Sequence, residues 1–211
     1  MAIHHPVFAR VYPWLGRVMD ERGMADRRRQ VLSGLSGTVV EVGAGNGLNF
    51  AHYPPEVSRV LAVEPERHLR DQAVAAAPGA GAPVDVVDAV AERLPVDDGG
   101  ADAVVVSLVL CSVRQQRAVL AEVRRALKPG GQLRFLEHVR SESPKVRRLQ
   151  RVLDATIWPR LAGGCHTGRD TVAEIERAGF DVQHLERFLV PSDEHPLAAP
   201  YVLGTAVAPG A

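Results

Sequence analysis

Cysteine is scarce in this sequence: 211 residues hold only Cys111 and Cys165. They form no CxxC pair and show no His/Cys spacing that suggests zinc, so neither a disulfide framework nor a metal site is expected. A reducing, cytoplasmic setting follows from that usage. Aromatic residues are few, 5% of the chain, and neither sign of charge is in excess, with 25 Lys plus Arg against 25 Asp plus Glu. The balance argues against a dedicated nucleic-acid binder, whose affinity draws on surplus cations. No run of about 18 apolar residues occurs, so no membrane span is expected. The N-terminus carries His4, His5, Arg10 and Arg17 but no apolar h-region, so no signal peptide is expected.

What is present is ordinary globular material, 46% hydrophobic and 24% charged, in a length that suits one domain with a short appendage. Residues 1–34 read as helical: Val7, Val11, Leu15 and Val18 recur at three- and four-residue steps, and Gly34 and Gly37 punctuate the end. The block Asp26–Gln30 reads as a solvated helix face rather than a phosphate site. From Thr38 short β-rich runs alternate with helix-length stretches. The runs are Val39–Val42, Val60–Val63, Val84–Val87, Ala103–Ser107 and Leu133–Leu136. Helices are expected at about 47–53, 66–77, 115–127 and 144–157. Such alternation predicts an α/β fold, a mostly parallel sheet with helices on both faces. Ser143-Pro144 signals one helix start, and Thr167 with Asp170 resembles a capping box for a helix that stops at Ala178-Gly179. Two closing strands, about 181–189 and 201–208, are joined by a loop with Pro191, Pro196 and Pro200. Their hairpin implies an antiparallel edge strand.

The first strand runs into Gly43-Ala44-Gly45-Asn46-Gly47. Bare backbone there lets a ligand approach closely, and a following helix would aim N–H groups at it. A dinucleotide fingerprint needs glycine at position 48, which is Leu48, and no GK[ST] follows for a phosphate loop. The pattern is G-x-G-x-G preceded by Glu41, which points to a nucleoside with a tail other than a pyrophosphate. Glu64, at the tip of the second strand and followed by Pro65, is placed to accept hydrogen bonds from ribose hydroxyls. Asp88-Ala89, beyond the third strand, can meet an exocyclic amine and a ring nitrogen; a plain helix cap is the other reading of Asp88.

These residues together resemble the class I S-adenosylmethionine-dependent methyltransferases. Val39 to Gly47 is similar to that family's first motif, and Glu64, Asp88-Ala89, Leu94-Pro95 and the strand ending at Ser107 follow in its order. Arg125 to Gly131 resembles the turn before its fifth strand. Leu108 to Val113, Phe135 to Val139, Asp154 with Trp158, and Gly164-Cys165 look most like the methyltransferase-like thiol methyltransferase branch. The resemblance spans roughly residues 35–208. It implies a Rossmann-like, seven-stranded sheet with an antiparallel last strand, and S-adenosylmethionine as cofactor across the strand ends. Residues 1–34 would then be a helical cover, with Tyr12 and Arg10 best placed to reach the ligand, over a methyltransferase domain of residues 35–211. The resemblance also implies methyl transfer to a small, largely apolar acceptor, with a thiol suggested by relatives that carry an apolar N-terminal membrane segment lacking here.

Methyl transfer from a sulfonium asks the protein to orient the acceptor, exclude water and remove a proton where needed. His138, at the tip of the fifth strand, is the candidate base; Glu137 alternates to the other side and could orient a neighbour. A strand-end histidine making one backbone bond is the other reading of His138. Cys111 reads as a small buried hydrophobe, while Cys165-His166 could line the acceptor pocket. Lys145, Arg148 and Arg151 share a helix face, read as solvated in preference to an anionic-lipid contact, with peripheral membrane contact left open. Two alternatives stand beside a thiol acceptor. One is an O- or C-methyltransferase of quinone or natural-product type, the other a non-catalytic S-adenosylmethionine-binding module.

Overall fold

Near-continuous valine runs buried on both faces build the sheet. The computed structural model describes residues 6–191 and 198–210, so His4, His5 and Pro196 lie outside the described residues. Strands β1 (Gly37–Val42), β2 (Val57–Val63), β3 (Val84–Val87), β4 (Ala101–Ser107), β5 (Leu127–His138), β6 (Asp181–Val190) and β7 (Ala199–Val207) form one sheet in the order β3-β2-β1-β4-β5-β7-β6. The first five pair in parallel, and β7 runs antiparallel to both β5 and β6. The last strand is therefore antiparallel, but it is not the edge. β7 inserts against β5, with Val202 and Leu203 buried, and β6 takes the rim. Their sequences explain the exchange. Tyr201–Val207 is a nearly unbroken apolar run, whereas Gln183, His184 and Glu186 give β6 the polar side chains of a protected edge.

Helices α1 (Pro6–Met19), α2 (Ala25–Leu32), α3 (Arg67–Ala76), α4 (Gln116–Ala126), α5 (Pro144–Ala155), α6 (Trp158–Leu161) and α7 (Thr171–Arg177) surround the sheet. The N-terminal stretch is not one helix, because Gly23 at φ +100° kinks it between α1 and α2. Met24, Val31 and Leu32 enter the apolar core with Val39, Val60, Ala103 and Leu203. Val11 and Leu15, expected on a packing face, are exposed, while Ala9 is buried.

Two expectations fail locally. Residues 47–53 hold only a single 3₁₀ turn, Phe50–His52. Gly47 sits at φ +83°, and the Phe50 ring occupies the space beside it, within 2.8 Å of where a Cβ would lie. Burying that ring against the turn displaces the helix, so no helix N-terminus follows the glycines. The second failure is the cap of α7: Asp170 accepts from the Ala173 N–H, and Thr167 is instead held by Asp154.

Candidate active site

The carboxyl ends of the parallel strands open on one side of the sheet, where an α/β fold places its ligands. A cleft of about 590 Å³ lies there, within the roughly 300–1,000 Å³ usual for small-molecule sites. Gly43, Gly45, Glu64, Pro65 and Ser107 of the expected residues line it, together with Phe8 and Tyr12 of α1. Gly43 and Gly45 adopt φ +66° and +58°, a conformation strained for any side chain. A Cβ on Gly43 would meet Val109 at 2.6 Å, and one on Gly45 would meet the Tyr12 ring at 3.2 Å. Backbone must therefore stay bare along this wall.

Glu64 is nearly buried and binds two backbone donors. One carboxylate oxygen accepts from the Gly45 N–H at 2.8 Å, the other from the Glu66 N–H at 2.8 Å. Burial pushes its carboxyl up, against those two N–H groups. Each oxygen retains a lone pair, so two vicinal hydroxyls could donate to it side by side. Leu69, Val90, Ala91 and Leu108 supply the apolar walls. Bare glycine backbone, an acceptor-only carboxylate and apolar walls fit a nucleoside such as the one S-adenosylmethionine carries.

Several expected residues lie outside the cleft lining. Glu41 is buried beneath the glycine turn, accepting from Asn49 Nδ2 at 2.8 Å and from the Tyr53 hydroxyl at 2.8 Å. Asn49 Nδ2 also reaches Ser107 Oγ at 3.2 Å, and its Oδ1 accepts from Arg28 at 3.0 Å. Arg28 in turn pairs with Asp20. This chain ties α2 to the turn from below, and burial lifts the Glu41 carboxyl to about 7 despite its donors. Ala44, Asn46 and Gly47 shape the turn; Ala44 N–H donates to Val63 and Gly47 N–H to Ala44. Asn46 Oδ1 is buried with no hydrogen-bond partner among the described residues. Asp88 and Ala89 border a separate hollow, where Asp88 pairs with Arg70 at 3.0 Å; Val90, Ala91 and Glu92 reach the cleft in their place. Arg10 is exposed and does not line the cleft.

Glu137, expected beside His138 as a group that orients a neighbour, is taken up by the backbone of the turn after β4. Its fully buried carboxylate accepts from the backbone N–H groups of Val109, Leu110 and Cys111 at 2.8, 2.9 and 3.1 Å. With both oxygens committed to that turn it is a positioning residue. Burial raises its carboxyl to about 7, against the opposing pull of the three N–H groups. The turn it anchors follows Leu108, the non-glycine residue with positive φ (+61°) among the described residues, which lines the cleft. Sequence reasoning missed Asn49, Tyr53 and Leu108. The first two carry polar atoms in a segment expected to be an ordinary helix, and Leu108 gives no local signal for a left-handed backbone.

His138 is buried at the tip of β5, behind the residues that line the cleft and edge-on to Tyr201 with ring centroids 5.1 Å apart. Its Nδ1 has no partner among the described residues. The His166 N–H donates to the Cys111 carbonyl at 2.8 Å, which brings Cys165 against Cys111. Contact with Cys111, then with His138 and the Trp158 indole, holds the Cys165 thiol below the ordinary range. The bond to Cys165 and burial push Cys111 up.

Residues 40–135 match the methyltransferase domain family. The chain is 33% identical to thiol S-methyltransferase TMT1B of Homo sapiens, over 96% of this chain and 88% of that protein. It is 36% identical to human thiol S-methyltransferase TMT1A, over 90% of this chain and 82% of the relative. Among solved structures, a Bacillus halodurans methyltransferase superposes with a TM-score of 0.73 at 18% identity, covering 88% of this chain and 98% of the other. The chain belongs to the class I S-adenosylmethionine-dependent methyltransferases, in the branch of the thiol S-methyltransferases.

Proposed function

We propose that this methyltransferase methylates a small, largely apolar thiol, with His138 as the base. The observation that carries the reading is the imidazole itself. It is buried at a strand tip on the ligand side of the sheet, with Nδ1 left without a partner among the described residues. A buried ring nitrogen lacking a bond costs roughly 1–3 kcal/mol, which a proton-accepting role would explain. The relatives named as thiol S-methyltransferases support sulfur as the nucleophile. Apolar Phe8, Leu108, Val109 and Val113 along the cleft support an apolar acceptor.

S-Adenosylmethionine supplies the activated methyl group when bound. Gly43 and Gly45 would admit it, Glu64 would hold its ribose, and Phe8 and Tyr12 would exclude water from above, making residues 1–34 a cover on the domain of residues 35–211. Glu137 fixes the turn after Leu108, and His138 takes the acceptor proton. A thiol ionises near 8.5 and a phenol near 10, so a thiol needs less help. The scarcity of cysteine, two in 211 residues, supports a reducing, cytoplasmic setting.

The test is a pH–rate profile of wild type and His138→Ala with one alkyl thiol and one phenol. General bases contribute about 10²–10⁴-fold where deprotonation is needed. The expected result is a preference for the thiol and a modest loss in the variant at neutral pH that mildly alkaline buffer largely restores. An equal loss at every pH would make His138 structural, and a wide preference for the phenol would overturn the thiol reading.

A further inference from the structure

Eleven large apolar side chains are exposed among the described residues, and nine of them fall on two segments, α1 and residues 144–161. On the second segment Leu149 and Val152 are 58% and 60% exposed, followed by Ile157, Trp158 and Leu161. On α1 the exposed set is Val11, Trp14 and Leu15. The segments adjoin at the cleft: a Cβ on Gly163, just past α6, would lie 2.6 Å from the Phe8 ring of α1, and both residues line the cleft.

Charge separates this surface from the rest of the molecule. The chain as a whole is neutral, yet α1 and residues 144–161 together carry seven Lys or Arg and a single acidic residue, Asp154. Asp154 is occupied by the Thr167 and Gly168 N–H groups. Among the described residues, Arg10, Arg17, Lys145, Arg148, Arg151 and Arg160 form no ion pair. Lys145, Leu149 and Val152 stand at i, i+4 and i+7 and so share one exposed stripe of α5. Apolar side chains thus project between cations, which is not the pattern of a merely solvated basic face.

We propose that α1 and the α5–α6 segment form a docking face for an anionic lipid bilayer, with the cleft mouth turned toward the lipid. Amphipathic helices bind in the interfacial plane by inserting apolar side chains while basic residues meet anionic headgroups. None of the helices among the described residues is long and apolar enough to cross a membrane, and the contact proposed is a peripheral one. A second copy of the chain is a poorer occupant. An isologous dimer through this face would set like-charged arginines against each other. Docking in this way lets an apolar acceptor pass from the bilayer to the cleft without crossing water. Docking is independent of the identity of the acceptor and is measured without turnover.

The chain's two tryptophans, Trp14 and Trp158, both lie on the proposed face, 59% and 38% exposed. Their emission therefore reports docking directly. Phosphatidylcholine vesicles containing phosphatidylglycerol should shift the emission to the blue and carry the protein upward in a flotation gradient. Pure phosphatidylcholine should bind more weakly, and high salt should weaken the anionic case. Each cation near an anionic surface contributes about a factor of five, so the double variant Arg148→Gln/Arg151→Gln should lose roughly 25-fold in partitioning. Leu149→Glu/Val152→Glu should lose at least about tenfold. All four side chains are exposed, so the variants should keep the wild-type circular dichroism and melting temperature. Unmoved emission with anionic vesicles, or wild-type partitioning by either folded variant, would overturn the proposal. So would lipid-free self-association that shifts the emission and is abolished by Leu149→Glu, which would assign the face to a second copy.

Discussion

Replacing Glu137 with glutamine should damage both stability and cofactor binding, and the geometry sets the size. At pH 8, above the value of about 7 to which burial lifts this carboxyl, both oxygens are ionised acceptors for three backbone N–H groups. Glutamine keeps one oxygen, which can still serve Val109 and Leu110. It turns an NH₂ toward the Cys111 N–H, leaving that donor without an acceptor. One unsatisfied buried donor costs about 1–3 kcal/mol, and lost charge assistance at the other two bonds adds to it. A total of about 2–4 kcal/mol is expected. Alanine strands all three N–H groups and should cost about 3–9 kcal/mol, comparable to the whole stability of an ordinary domain. Urea unfolding of the three proteins at pH 8 measures both values. Because the turn fixes Leu108 against the cleft, the folded glutamine variant should also bind S-adenosylhomocysteine less tightly by calorimetry. Wild-type stability in the glutamine variant would refute the positioning role.

Glu64→Ala removes an acceptor held between the Gly45 and Glu66 N–H groups. It should weaken S-adenosylhomocysteine binding by about 1.5–3 kcal/mol in calorimetry, with unchanged affinity ruling out the ribose assignment. Tyr12→Ala opens the cleft beside Gly45 and should raise the cofactor Kd while leaving the urea midpoint nearly unchanged, since the ring is only half-buried. Glu41 gives a pH signature. Its folded value of about 7 lies above its unfolded value, so the native state holds the extra proton between them. Its contribution to stability is therefore fully present below about pH 4.5 and is lost as pH rises through 7, on the order of 3 kcal/mol. Glu41→Gln should flatten that part of the stability–pH curve in denaturant titrations, and an unchanged slope would contradict the assignment.

The strands and the ligand side of the sheet were legible because apolar runs buried on both faces leave an unambiguous pattern, as in Val39–Val42 and Ala103–Ser107. The glycine turn and Glu64 were legible because positive φ and an acid at a strand tip are local properties. What stayed hidden depends on distant partners. Glu137 reads as a strand-end acid until the turn 109–111 is seen folding onto it. The segment 47–53 has helical spacing, yet Phe50 packing against Gly47 prevents the helix. Asp88 follows its strand as expected, but Arg70 draws it away from the cleft. The exposed face of α1 and α5 was equally hidden. Helical periodicity identifies an apolar stripe without saying whether anything in the chain covers it.

The most direct test of catalysis at this cleft follows the methyl group itself. S-Adenosylmethionine carrying a deuterated methyl is incubated with the protein and a long-chain alkyl thiol, and both products are quantified by mass spectrometry. One labelled methyl thioether is expected for every S-adenosylhomocysteine formed, with both falling together in Glu64→Ala. Binding of S-adenosylmethionine without its consumption, or S-adenosylhomocysteine formed with no labelled thioether, would contradict thiol methylation at this cleft.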